Sequence, residues 1–180
     1  MTMLGQLASH AGVQAMRLLA LLPLSWLRGL GWLLGQTLYL LARSRRRIAW
    51  VNLRLCFPSW SDAQVHSVAV GTFVHFAQAW LDRGWLWHAG SAVTARRLQI
   101  VGAIDALTDA SPVVVFAPHF VGLDAGGVRL STSIQGITVY SRQKNPIWDD
   151  WLYKVRARFG VTLVARQGAD MRSVIRAVKE

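Results

Sequence analysis

Between residues 11 and 42 the chain is mostly Leu, Ala, Trp and Gly, with charge only at Arg17 and Arg28. A helix needs about 20 apolar residues to span a bilayer, and the uninterrupted runs here are shorter. Arg17 and Arg28 fall on nearly the same face of one helix, with Pro23 as a kink between them. The pattern predicts a helical segment that lies in a membrane interface, or crosses obliquely with its arginines snorkelling. Trp26, Trp32 and Tyr39 suit the headgroup boundary. A buried helical hairpin is the bland alternative.

Pro58-Ser59-Trp60 breaks the following helix, and Ser61 with Gln64 forms a capping-box start for another. On that helix Val65, Val68, Thr72, Phe76 and Ala79 recur at helical spacing and predict the face that packs on a core. His66, His75 and His88 have no metal-ligand partners at suitable spacing, so they read as packing or surface histidines.

After residue 97 the period changes. Pro112-Val113-Val114-Val115-Phe116-Ala117 is a short β-branched run that suits a strand buried on both faces. A glycine-containing stretch then opens a helix, and a second strand is expected near Ile137–Tyr140. Asn145-Pro146 begins a helix running to Gly160, whose glycine is a good C-terminal stop. Val161–Ala165 makes a third strand, and Asp170 caps a last helix. Strands alternating with helices predict an α/β sheet with a site at the strand ends.

Composition sharpens this picture. The 180 residues suffice for one domain with a real core, and 53% of them are hydrophobic against 16% charged. That balance leaves apolar surface for lipid. Cys56 is the single cysteine, which excludes an internal disulfide or multi-cysteine metal site, and it is expected to be a small buried residue in a reducing compartment.

The net charge of +11 is uneven, because Arg17, Arg28, Arg43, Arg45, Arg46, Arg47 and Arg54 all precede the first acid, Asp62. Such a patch attracts anionic partners. The Arg43–Arg47 cluster follows the apolar run and marks a cytoplasmic side, where it attracts anionic phospholipid headgroups. A cleaved signal peptide is not expected, since the charge comes after the apolar run. Nucleic acid is not expected either, as no recognised motif accompanies the arginines.

His119 sits just past the first expected strand, and Asp124 follows five residues later. Five positions is too far for one face of a regular helix. It works if His119 is in the loop and Asp124 in the first helical turn. The carboxylate then fixes the imidazole tautomer, and the other nitrogen can take a proton from an attacking hydroxyl without an enzyme nucleophile. With five histidines and eight aspartates, this spacing arises by chance in roughly a quarter of such chains. A capping aspartate beside a loop histidine is the plain alternative.

The stretch Ala117-Pro118-His119-Phe120-Val121-Gly122-Leu123-Asp124 resembles the His-x4-Asp/Glu motif of the lysophospholipid acyltransferase superfamily. Three segments are similar to its lipid A lauroyl and myristoyl transferase branch. They are Arg46-Arg47-Ile48-Ala49-Trp50-Val51-Asn52-Leu53-Arg54-Leu55-Cys56-Phe57-Pro58, Tyr140-Ser141-Arg142-Gln143-Lys144-Asn145-Pro146, and Arg156-Ala157-Arg158-Phe159-Gly160 followed by Arg166 and Arg172. Their order is far more specific than the histidine motif.

The resemblance implies a glycerol-3-phosphate acyltransferase-like α/β fold. Residues 1–47 would form a membrane-associating helical segment, and residues 48–180 an acyltransferase domain with a mixed sheet flanked by helices. It implies His119 as general base and Asp124 as its orienter, with Arg142, Lys144, Asn145 and Arg166 binding an anionic glycolipid acceptor. The donor would be an acyl carrier protein, an acidic partner for a basic face. No cofactor or metal is implied. The expected location is the cytoplasmic face of the bacterial inner membrane. The family runs on for roughly another hundred residues, with a Leu-Pro-Asp-Gln-like motif, so this chain is expected to be truncated. An inactive membrane-anchored remnant is the alternative.

Overall fold

Leu21, Leu22 and Pro23 divide the first apolar segment into two helices. The computed structural model describes residues 2–102, 105–107, 113–166 and 175–176. α1 (Met3–Leu19) starts from Thr2, whose side chain accepts from the Gly5 amide, and Pro23 stands immediately before α2 (Leu24–Leu41). Proline lacks an amide hydrogen and clashes inside a helix, so it sits at a helix start instead. Arg17 and Arg28 therefore belong to different helices, and the shared face expected for them does not form. The chain divides into two compact units, Leu21–Arg83, and Met1–Ala20 with Gly84–Glu180.

The Leu21–Arg83 unit is built on glycine contacts. Leu27, Gly31, Gly35 and Tyr39 form the buried stripe of α2, one residue per turn. It faces α4 (Asp62–His88). A Cβ built on Gly35 would lie 2.4 Å from the Val74 Cα, and one on Gly31 would lie 2.8 Å from the Gln78 Cα. Gln78 locks the register: its Nε2 donates to the Arg28 carbonyl at 3.1 Å, and Arg28 donates back to the Gln78 carbonyl at 3.3 Å. Arg28 also pairs with Asp82.

This close approach decides which face of α4 is buried. Val65, Ala69, Val74 and Ala77 are buried, while Val68, Thr72 and Phe76 are exposed. The stripe expected at Val65, Val68, Thr72, Phe76 and Ala79 holds only at Val65. Gly31 and Gly35 let the α2 backbone approach α4 at Val74 and Gln78, and that contact covers the Val74 and Ala77 side of the helix.

α3 (Arg43–Cys56) has no buried residue, so Cys56 is exposed rather than in a core. Arg46 donates to the Tyr39 carbonyl at 3.1 Å, with its guanidinium 5.3 Å from the Tyr39 ring centroid. Trp50 Nε1 donates to the Tyr39 hydroxyl at 3.1 Å, and His66 meets the same ring edge-on. The expected capping box is present: Gln64 N donates to Ser61 Oγ at 3.3 Å and Ser61 N to Gln64 Oε1 at 2.8 Å.

Among the described residues no helix is long and apolar enough to cross a membrane, so the oblique crossing has no helix to make it. α2 has 18 residues. That is roughly 27 Å of helix against about 30 Å of hydrocarbon, and Arg28 and Gln36 interrupt it.

In the other unit, α1 packs on α7 (Pro146–Ala157), where a Cβ on Gly12 would lie 2.7 Å from the Trp148 ring. Trp87 and Trp148 meet Trp151 edge-on at 5.0 and 5.2 Å, giving this unit an aromatic core. α5 (Ser91–Arg97) and α6 (Leu123–Ser131) are joined by Arg129, whose Nε donates to the Leu98 carbonyl at 2.8 Å.

β1 (Ile137–Tyr140) and β2 (Thr162–Ala165) pair in parallel around α7, with Tyr140 opposite Ala165. The second and third strands expected from sequence are therefore present, and Gly160 follows α7 at φ +89° as a stop. The first expected strand does not form. Residues 113–117 have no strand pairing, and Val114 and Phe116 are 93% and 89% exposed. β-branched composition favours a pleated, half-buried surface, and it gives a strand only beside a pairing edge. The mixed sheet is thus a small parallel pair in a mostly helical chain. The helix expected from Asp170 lies outside the described residues.

Candidate active site

His119 lies at the centre of a tight turn. The Phe120 amide donates back to the Pro118 carbonyl at 2.8 Å, and the Leu123 amide donates to the Phe120 carbonyl at 3.1 Å. These two turns carry the chain from the 113–117 segment into α6. Asp124 is the second residue of that helix. A carboxylate there is favoured by the unsatisfied amides and positive end of the helix dipole. His119 is thus in the loop, exposed to solvent, and Asp124 in the first helical turn, partly buried.

Asp124 has a neighbour that local spacing does not reveal. Arg156 Nη2, from the last turn of α7, stands 3.7 Å from the Asp124 carboxylate, and both side chains are partly covered. The two residues are far apart in sequence. The signal available was the Arg156-Ala157-Arg158 pattern, which carried no role by itself.

Parallel pairing brings a second group together. Arg142 follows β1 and Arg166 follows β2, so both leave the carboxyl ends of adjacent strands. The Arg166 amide donates to the Tyr140 carbonyl at 2.8 Å. Both residues are exposed, as is Lys144. Open α/β sheets bind ligands at this end.

Asn145 is occupied locally. Its side-chain oxygen accepts from Ile147 N at 3.0 Å and Trp148 N at 3.4 Å, and its Nδ2 donates to Ser9 Oγ at 2.7 Å. Gln143 N donates to Asp149 Oδ1 at 2.8 Å, so the 141–145 turn is pinned to the start of α7.

Another cationic cluster joins α1, α4 and α7. Burial, then the charges of Arg17 and Arg158, pushes the His88 pKa below the usual histidine range. Arg158 is lowered by burial, though a guanidinium stays charged. It donates to the Leu86 carbonyl and covers the Phe159 ring at 4.3 Å. Among the described residues no three His, Cys, Asp or Glu side chains gather into a metal site.

Comparison with known proteins identifies the family. The sequence profile of the family described as bacterial lipid A biosynthesis acyltransferase matches residues 1–180. A lipid A biosynthesis acyltransferase of Haemophilus influenzae is 30% identical over 131 residues, 70% of this chain and 41% of that protein. The lipid A biosynthesis lauroyltransferase of Escherichia coli is 26% identical over 173 residues, 94% of this chain and 56% of that protein. The E. coli myristoyltransferase is 30% identical over 159 residues, 86% of this chain and 49% of that protein. The chain thus spans about half the length of the curated relatives it matches. No solved structure gives a significant match. With the profile covering the whole chain, the protein belongs to the bacterial lipid A biosynthesis acyltransferase family.

Proposed function

We propose that this chain carries the acyl-transfer site of an enzyme that moves a fatty acyl group from acyl carrier protein to a hydroxyl of a lipid A precursor or related anionic glycolipid. The observation that carries the reading is His119 in the loop feeding α6, with Asp124 in that helix's first turn. His119 takes the hydroxyl proton as the acceptor oxygen attacks the thioester carbonyl. The new C–O ester bond forms, the C–S bond breaks, and the thiolate leaves to be protonated. Asp124 holds the imidazole in the tautomer that leaves one nitrogen free to accept.

Arg142 and Arg166, at adjacent strand ends, and Lys144 bind the acceptor's phosphates. Asn145 contributes by fixing the turn that carries Arg142 and Lys144. The test is transfer from acyl carrier protein to a phosphorylated lipid A precursor. A hydrogen bond to a charged group contributes about 1.5–3 kcal/mol. Arg142→Ala should therefore raise the acceptor KM by roughly 10- to 100-fold while the fold is kept. An unchanged kcat/KM would overturn the acceptor site.

The same reading locates the protein on the cytoplasmic face of the inner membrane. Trp26, Leu30, Trp32, Leu33, Leu40 and Leu41 of α2 are all exposed, and Arg43, Arg45 and Arg47 follow at once. A helix with that face lies in the interface plane, its leucines in the acyl boundary and its arginines on anionic headgroups. The chain is expected to float with vesicles containing anionic phospholipid, and to stay with them at high salt. Recovery at the bottom of the gradient rejects the in-plane anchor.

A further inference from the structure

We propose that Arg156 is a positioning residue for the His119–Asp124 pair: it holds the Asp124 carboxylate in place and balances the charge it presents to the imidazole. The inference rests on the reading of His119 as base and Asp124 as its orienter, and adds a third member from a different helix.

The placement of Arg156 argues for it. Asp124 stands at the N-terminal end of α6 and Arg156 in the last turn of α7, so each charge also suits the dipole of its own helix. The guanidinium reaches the carboxylate at 3.7 Å with both side chains partly shielded from water. Other basic groups of the two helices are turned elsewhere. Arg129 is bound to the Leu98 carbonyl, Thr132 and Ser133, Lys154 to Asp150, and Arg158 to the Leu86 carbonyl. Asp149, the remaining acid of α7's first turn, accepts from Gln143 N.

A carboxylate that orients a base must be fixed, because a free one samples several rotamers and several hydrogen-bond partners. It must also be moderated. Full negative charge beside the imidazole would stabilise its protonated form and leave less free base to accept a proton. A guanidinium paired with the carboxylate meets both needs.

Two measurements test this on the chain as it is. In the first, the His119 imidazole is titrated by NMR in the parent, Arg156→Met, Asp124→Asn and the double variant. Arg156→Met removes the guanidinium from the Asp124 carboxylate, so the His119 titration midpoint measured in that variant should lie above the parent's. The rise should be clearly smaller when Asp124 is already Asn. Equal shifts in the two backgrounds, or none, overturn the proposal.

The second measurement is acyl transfer. Arg156→Met should lower kcat by roughly 10- to 100-fold with the acceptor KM unchanged. Arg156→Lys should recover part of the loss, and Arg156→Met should add little in the Asp124→Asn background. A lower melting temperature with parental kcat marks a purely structural clamp and also overturns it. Activity surviving His119→Ala would instead defeat the underlying base assignment. A silent Arg156→Met alongside an inactive His119→Ala defeats only the inference.

Discussion

His119→Ala is expected to lower acyl transfer by roughly 10²–10⁴-fold, the usual contribution of a positioned general base. The side chain is exposed in a tight turn ahead of α6, so its removal leaves no cavity and costs the fold little. The loss should therefore fall on turnover, with melting temperature near the parent's. Asp124→Asn keeps the shape while removing the charge and tautomer control, and should also cost heavily. The two losses should not add, because an orienter without a base has nothing to orient. The assay compares transfer from acyl carrier protein for each single variant and the double. A His119→Ala chain that keeps turnover within a factor of a few, while folded, would falsify the base assignment.

Gly35→Ala is expected to destabilise the Leu21–Arg83 unit, although alanine is the better helix former. Its methyl would stand 2.4 Å from the Val74 Cα, 2.8 Å from the Val74 nitrogen and 2.9 Å from the Phe73 carbonyl oxygen. These are backbone atoms that cannot rotate away, so α2 and α4 must separate. Overpacking of this kind costs about 1–3 kcal/mol. The propensity gain of Gly to Ala, up to about 1 kcal/mol, offsets only part of it. For a chain of this length each kcal/mol shifts the melting temperature by about 2–4 °C. Gly29 is the matched control on the same helix, since a Cβ there meets nothing within 4 Å. Gly29→Ala should leave stability unchanged or raise it, as only the propensity term acts. Thermal melts of the two variants check the pair, and equal melting temperatures would show that α2 and α4 are not in backbone contact.

The parts of the fold legible in sequence are those decided by neighbouring residues. Ser61 and Gln64 cap α4 reciprocally, Asn145-Pro146 starts α7, and Gly160 stops it at a positive φ. Ile137–Tyr140 and Val161–Ala165 were readable as strands because the α7 segment between them sets up a βαβ unit. The family was equally readable from the quoted segments, and the profile match over residues 1–180 bears out that membership.

Other features depend on what stands across from a residue. Pro23 read as a kink within one helix, yet it separates α1 from α2. The buried stripe of α4 turned away from Val68 and Phe76, because the glycine face of α2 lies against Val74 and Gln78 instead. Val113–Ala117 has the composition of a strand, but composition cannot supply the pairing edge. By itself the sequence determined the helix and strand boundaries near caps and glycines, the family, and His119 and Asp124 as a candidate pair. Only the tertiary structure decided that Arg142 and Arg166 leave adjacent strand ends, and that Arg156 faces Asp124. Local signals act over a few residues through backbone hydrogen bonding and sterics. Contacts between distant segments depend on packing, and no short window of sequence contains them.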